Sequence, residues 1–102
     1  MIIYIAGPIT GHLDYKEKFA RAERKLKDMG HIVINPSFIP DGLGTLEDYM
    51  HICKSVIDKA QGIYMLKGWI SSEGSVKELR YAKQHCKKEF YEEDVMKGEV
   101  QL

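Results

Sequence analysis

The sequence predicts an α/β protein with a flavodoxin/Rossmann-like, three-layer α-β-α fold, in which the middle layer is a four- to five-stranded parallel sheet. Short apolar runs alternate with amphipathic helical segments in the order β-α-β-α-β-α-β, which is typical of a parallel sheet with helices on its faces. The first run, residues 2–6, carries no charge, as expected for a strand buried on both faces. The chain has 102 residues, 44% of them hydrophobic. This is enough for one core, so we expect a single domain over residues 1–102.

Turn residues and capping patterns place the individual elements. Asp14 and Glu17 are spaced as a capping box that would open the first helix, and Gly30 would end it. Thr45 and Asp48 have the same spacing before the second helix. The predicted strands are 2–6, 31–34, 62–66 and 89–91. The predicted helices are 14–29, 45–60 and 75–86. The acidic tail, 92–102, is either helical or packed on a neighbouring subunit.

Charge and cysteine content exclude several classes of protein. Fifteen Lys plus Arg balance fifteen Asp plus Glu, so the chain lacks the basic excess of a nucleic-acid-binding protein or a polybasic membrane anchor. No run is long enough for a membrane helix, and the N-terminus does not resemble a signal peptide. We therefore expect a cytoplasmic protein. Cys53 and Cys86 fall on the inner faces of predicted helices, and we expect both to be free thiols. The zero net charge favours self-association.

Three loops should meet at one edge of the predicted sheet. They are 7–11, 35–44 and 67–74, each following a strand. Ligands of open parallel sheets bind beyond the carboxyl ends of the strands, and the start of the third helix offers amides and a positive dipole end there. The fold alone therefore predicts a pocket for a small, anionic ligand.

Each candidate residue in these loops has a structural as well as a functional interpretation. Glu78 is a candidate nucleophile or base, but Ser75 and Glu78 also have capping-box spacing. Ser71 and Ser72 could bind phosphate, or one of them could simply cap the third helix. The phenol of Tyr4, within the first strand, needs a polar partner unless it is only a core aromatic. No pattern of metal-ligating residues is present.

An ordered set of segments between residues 2 and 91 resembles the nucleoside 2-deoxyribosyltransferase superfamily, in particular its short phage and bacterial members. The matching segments are 3–11, Phe19 with Ala22, Glu23 and Leu26, Gly30 with His31, Asn35 with Pro36, Tyr49 with Met50, 63–66 with Gly68 and Trp69, and Ser72, Gly74 and Glu78 with Ala82.

The resemblance implies cleavage of the N-glycosidic bond of a 2′-deoxynucleoside or its 5′-monophosphate, through a covalent Glu–deoxyribosyl intermediate that water or a second base resolves. It implies that Glu78 is the nucleophile and that Tyr4 orients it. Ser72 stands where nucleotide hydrolases of the superfamily have Ser and nucleoside transferases have Asp, which favours a 5′-monophosphate. The implied substrate-binding residues are Gly7, Pro8, Ile9, Gly11, Cys53, Trp69, Ser71, Ser72, Gly74 and Ser75. The resemblance also implies a homodimer or larger homo-oligomer, without a metal or other cofactor.

Two positions depart from the superfamily pattern. Cys53 occupies the place of an Asp that contacts the leaving base, and Gln61 replaces an Asp that often precedes the third strand. Two other interpretations therefore stay open. One is a catalytically impaired protein that senses or sequesters a nucleotide, and the other is an interaction domain with an empty pocket.

Overall fold

The computed structural model of the protein describes residues 1–9, 12–98 and 102. Its strands are β1 (Ile2–Ala6), β2 (Ile32–Ile34), β3 (Gly62–Met65) and β4 (Lys88–Tyr91). Its helices are α1 (Tyr15–Asp28), α2 (Leu46–Ile57), α3 (Glu73–Gln84) and α4 (Glu92–Met96). Two short 3₁₀ turns, Pro36–Phe38 and Trp69–Ser71, lie in the loops after β2 and β3.

The four strands form one parallel sheet in the order β2-β1-β3-β4. Helices cover both faces, so the predicted three-layer α/β fold is confirmed. The side chains of β1 alternate between two hydrophobic cores, one on each face of the sheet. Tyr4 packs with residues of α2 and α3 on one face, whereas Ile3 and Ile5 pack with α1 on the other. No helix in the described part of the chain is long and apolar enough to cross a membrane.

Of the two capping boxes predicted from residue spacing, one is confirmed and one is wrong. At α2, Thr45 accepts a hydrogen bond from the Asp48 N–H and Asp48 accepts one from the Thr45 N–H, which confirms the predicted capping box. At α1 the predicted capping box is wrong, since the Asp14 side chain makes no capping hydrogen bond. Asp14 has φ −100° and ψ 14°, outside the extended region that a capping side chain needs.

The third helix differs from its prediction at both ends. It begins at Glu73 rather than Ser75, with Ser72 as its N-cap. It ends at Gln84, and Cys86 follows in a left-handed conformation with φ 57°. Cys86 is consequently exposed, and its predicted inward orientation is wrong, whereas Cys53 is buried as predicted. Both thiols are free.

Candidate functional site

A cavity of about 660 Å³ lies beyond the carboxyl end of β1, where the three predicted loops converge. This volume falls within the range of small-molecule sites. Most of the predicted site residues line it: Tyr4, Gly7, Pro8, Ile9, Cys53, Ser71, Ser72, Gly74, Ser75 and Glu78. Gly11 lies outside the described residues. The close approach of β1 to the chain after β3 requires glycine at position 7, since a Cβ there would lie 2.9 Å from two carbon atoms of Leu66.

A buried carboxylate and a buried phenol meet at the base of this cavity. Glu78, on the second turn of α3, is only 7% exposed. The hydroxyl of Tyr4, which is fully buried on β1, donates a hydrogen bond to Oε2 of Glu78. The capping interpretation of Glu78 is therefore wrong, because Ser72 caps the helix and Glu78 contacts a residue 74 positions away in the chain.

Burial is the main cause of the shifted pKa values of Glu78 and Tyr4. It raises the pKa of Glu78 from the ordinary 4.5 to about 7, although hydrogen bonding from Tyr4 and Cys53 acts in the opposite direction. Burial, followed by the charge of Glu78, also raises the pKa of Tyr4 well above its ordinary 10. At neutral pH the phenol is therefore a constant hydrogen-bond donor, whereas the carboxyl group is present in both of its ionisation states. A carboxyl group poised in this way can act as a nucleophile or as a base.

The thiol of Cys53 lies beside both groups. Burial and the nearby charge of Glu78 raise its pKa from 9 to about 12. At physiological pH the thiol is therefore protonated, and it is neither a strong nucleophile nor a strong acid.

The N-terminus of α3 forms one wall of the cavity. The Ser72 side chain accepts a hydrogen bond of 3.3 Å from the Ser75 N–H, so the predicted cap is formed. Ser71 donates instead to the Gly68 carbonyl, at 2.9 Å. Ser75 is 1% exposed, and its hydroxyl has no hydrogen-bond partner among the described residues. A buried hydroxyl without a partner is costly. A ligand in the cavity could supply the missing hydrogen bond.

Trp69 is not brought to this cavity. Its ring packs against Tyr91 with 5.7 Å between the ring centroids, and it lines a smaller pocket of about 250 Å³ near the ends of β3 and β4. Within the part of the chain that the structure describes, no group of three or more His, Cys, Asp or Glu residues could hold a metal ion.

Several residues that line the cavity were not predicted from the sequence. Tyr15, Phe19 and Tyr49 line the wall, although their helical spacing indicated only core positions. Tyr49 also shapes the loop after β2, because its hydroxyl donates to the Pro40 carbonyl and accepts from the Leu43 N–H, each at 3.0 Å. One signal in the sequence could have indicated Tyr15 and Tyr49 as cavity residues. Each lies in the first turn of a helix that follows one of the predicted binding loops.

Comparison with known proteins places the chain in a family without indicating an activity. No curated protein and no solved structure matches the sequence. One family does match, over residues 1–91, which include all four strands and the whole cavity wall. The chain belongs to this family, which is described as a domain of unknown function, DUF4406.

Proposed function

We propose that the protein cleaves the N-glycosidic bond of a 2′-deoxynucleoside 5′-monophosphate. The observation that carries the proposal is the buried Glu78 carboxylate, held by Tyr4 at the base of a cavity of nucleotide size. A carboxylate is the usual nucleophile for displacement at a sugar C1′ atom, where the transition state resembles an oxocarbenium ion.

The reaction would have two displacement steps. Tyr4 binds Oε2 of Glu78, which leaves Oε1 to attack C1′. The Oε1–C1′ bond forms while the C1′–N bond breaks. The electron pair of the broken bond leaves with the base, which takes up a proton from solvent. In the second step water attacks C1′, the carboxylate is released, and the proton from water passes to solvent. A second base in place of water would give deoxyribosyl transfer.

The position of Glu78 on its helix supports binding of a 5′-phosphate. Glu78 lies six positions after Ser72, or about 9 Å further along the helix axis. Helical side chains tilt toward the N-terminus, so roughly one sugar ring fits between the carboxylate and the first amides of α3. A phosphate at those amides would meet the positive end of the helix dipole and the unpartnered hydroxyl of Ser75.

An assay for free base tests the proposal. The wild type is incubated with each common deoxynucleoside 5′-monophosphate and each corresponding nucleoside, and the products are separated by chromatography. We expect base release from monophosphates, reduced at least about a thousandfold in Glu78→Gln. Glu47→Gln is the matched control, since Glu47 is exposed and has no ion pair or hydrogen bond among the described residues. Equal rates in wild type and Glu78→Gln would refute the role of Glu78.

A nucleotide-binding protein without turnover is the second candidate function. Cys53 favours it, because a protonated thiol with a pKa of about 12 stands beside Glu78 where a departing base would need a proton. This candidate predicts that a deoxynucleoside monophosphate raises the melting temperature while no base is released. We further propose that the protein acts in the cytoplasm as a homodimer or larger homo-oligomer, and sedimentation of a monomer at micromolar concentration would contradict the oligomer.

A further inference from the structure

The cavity wall has an uneven distribution of charge. Asp41, Glu73 and Glu78 contribute carboxylates, whereas no Lys or Arg lines the cavity within residues 1–9 and 12–98. The two residues of the first loop outside the described ranges are Thr10 and Gly11, neither of which is basic. The Glu73 carboxylate has its own partner, Lys77, at 3.4 Å. Of these three carboxylates, that of Glu78 is buried, and it has no Lys, Arg or His partner among the described residues.

The neighbours of Glu78 are polar but uncharged. Tyr4 approaches from β1 and Cys53 from α2, and the remaining titratable groups of the wall are His12, Tyr15, Asp41, Tyr49 and Glu73. His12 is exposed at the mouth of the cavity. An ionised carboxylate buried without a cation is unfavourable, and a positive charge on a ligand would compensate it directly. The half-buried rings of Tyr15 and Tyr49 also line the cavity, and an aromatic ring face attracts a bound cation.

The same cluster lacks an acid suited to protonating a departing base. The Tyr4 phenol and the Cys53 thiol both have pKa values raised by burial, so neither releases its proton readily at neutral pH. A base that leaves as a neutral molecule needs no such acid. Heteroaromatic rings quaternised at the glycosidic nitrogen leave in this way.

We infer that the site selects N-glycosides whose base is a positively charged, quaternised heteroaromatic ring of the pyridinium type. The inference rests on the proposed function and narrows its substrate class. Oε1 of Glu78 forms a bond to C1′ while the C1′–N bond breaks. The electron pair of the broken bond stays on the ring nitrogen, so the base leaves as a neutral molecule. Water then displaces the carboxylate from C1′ and releases one proton to solvent. No oxidant, reductant or metal takes part.

A matched pair of ligands isolates the charge. One is the carbocyclic analogue of nicotinamide 2′-deoxyriboside 5′-phosphate, whose pyridinium ring is cationic and whose C–N bond is not cleavable. The other is its 1,4-dihydro form, which is neutral and has the same heavy atoms. At pH 8 we expect the wild type to bind the cation at least about tenfold more tightly, as measured by calorimetry. The preference should fall below about threefold in Glu78→Gln, and in the wild type at pH 5.5, where Glu78 is protonated.

Glu73→Gln serves as the control, because it removes an equal charge from the exposed mouth and should keep a preference of at least about fivefold. Equal affinity for the two ligands in the wild type at pH 8 would overturn the inference, as would a preference that survives in Glu78→Gln. Cleavage assays separate the two claims. Release of base from common deoxynucleotides without preference for the cation would leave the proposed function standing and refute this inference. Preference for the cation, without cleavage of common deoxynucleotides or of the pyridinium deoxyribotide, would support the cation site and refute the proposed function.

Discussion

Replacing Glu78 by Gln should stabilise the protein at alkaline pH and have little effect on stability at acidic pH. Glu78 is 7% exposed and has no cationic partner among the described residues. Its pKa rises from the ordinary 4.5 in the unfolded chain to about 7 in the folded protein. The folded state therefore holds this proton more tightly than the unfolded state does. The contribution of Glu78 to the free energy of unfolding falls as the pH rises from about 4.5 to about 7, and is constant above that.

The size of the effect follows from the difference in pKa. One pKa unit corresponds to about 1.4 kcal/mol, so ionised Glu78 costs the folded protein about 3 kcal/mol at pH 8. Glutamine has nearly the same shape and can still accept the hydrogen bond from Tyr4, but it carries no charge. The free energy of unfolding of Glu78→Gln, minus that of the wild type, should therefore grow by about 3 kcal/mol between pH 4 and pH 8.

Denaturant titration of both proteins at pH 4, 5, 6, 7 and 8 measures this difference. In thermal melts, the same change corresponds to roughly 10–25 °C for a domain of this size. Glu47→Gln, which removes an exposed carboxylate, should show a difference that varies with pH by less than about 0.5 kcal/mol. A difference between Glu78→Gln and wild type that stays constant from pH 4 to pH 8 would refute the argument that burial raises the pKa of Glu78.

Three further predictions concern the same cavity. Since the phenol of Tyr4 lowers the pKa of Glu78, Tyr4→Phe should move the acidic limb of the pH–rate profile for base release to higher pH; an unchanged limb would contradict this. Iodoacetamide at pH 7.5 should modify the exposed Cys86 and leave Cys53 unmodified until the protein unfolds, and mass spectrometry showing early labelling of Cys53 would contradict the raised thiol pKa. Gly7→Ala should lower the free energy of unfolding by about 1–3 kcal/mol, since the added Cβ lies 2.9 Å from a neighbouring leucine side chain. Denaturant midpoints equal to those of the wild type would refute this steric argument.

The two central strands, β1 and β3, were predictable because each is a short run of apolar residues. Residues 2–6 and 62–65 are uninterrupted by charge, which fits strands that are covered by helices on both faces. Capping patterns were less dependable. The same spacing of a capping residue and an acid forms a capping box at Thr45 but not at Asp14, because the backbone of Asp14 is not extended. Spacing in the sequence does not specify that conformation.

The site was only partly predictable, since its central feature is a contact between distant residues. Local spacing is equally compatible with Glu78 as a capping residue and as a reactive group. The hydrogen bond from Tyr4, 74 residues earlier, distinguishes the two. Trp69 illustrates the opposite case, because an aromatic residue in a predicted binding loop packs toward β4 instead, against Tyr91. Neither orientation can be derived from the flanking residues alone.

Trapping a covalent sugar adduct on the protein identifies the residue that attacks the sugar, which an assay of the products does not. The wild type is mixed with a deoxynucleoside 5′-monophosphate that it cleaves, quenched in acid during turnover, digested, and analysed by mass spectrometry. We expect the peptide that contains Glu78 to gain the mass of one deoxyribose phosphate residue, and the same peptide of Glu78→Gln to gain none. An adduct on another residue would contradict the role of Glu78 as nucleophile, as would a rate of base release in Glu78→Gln equal to that of the wild type.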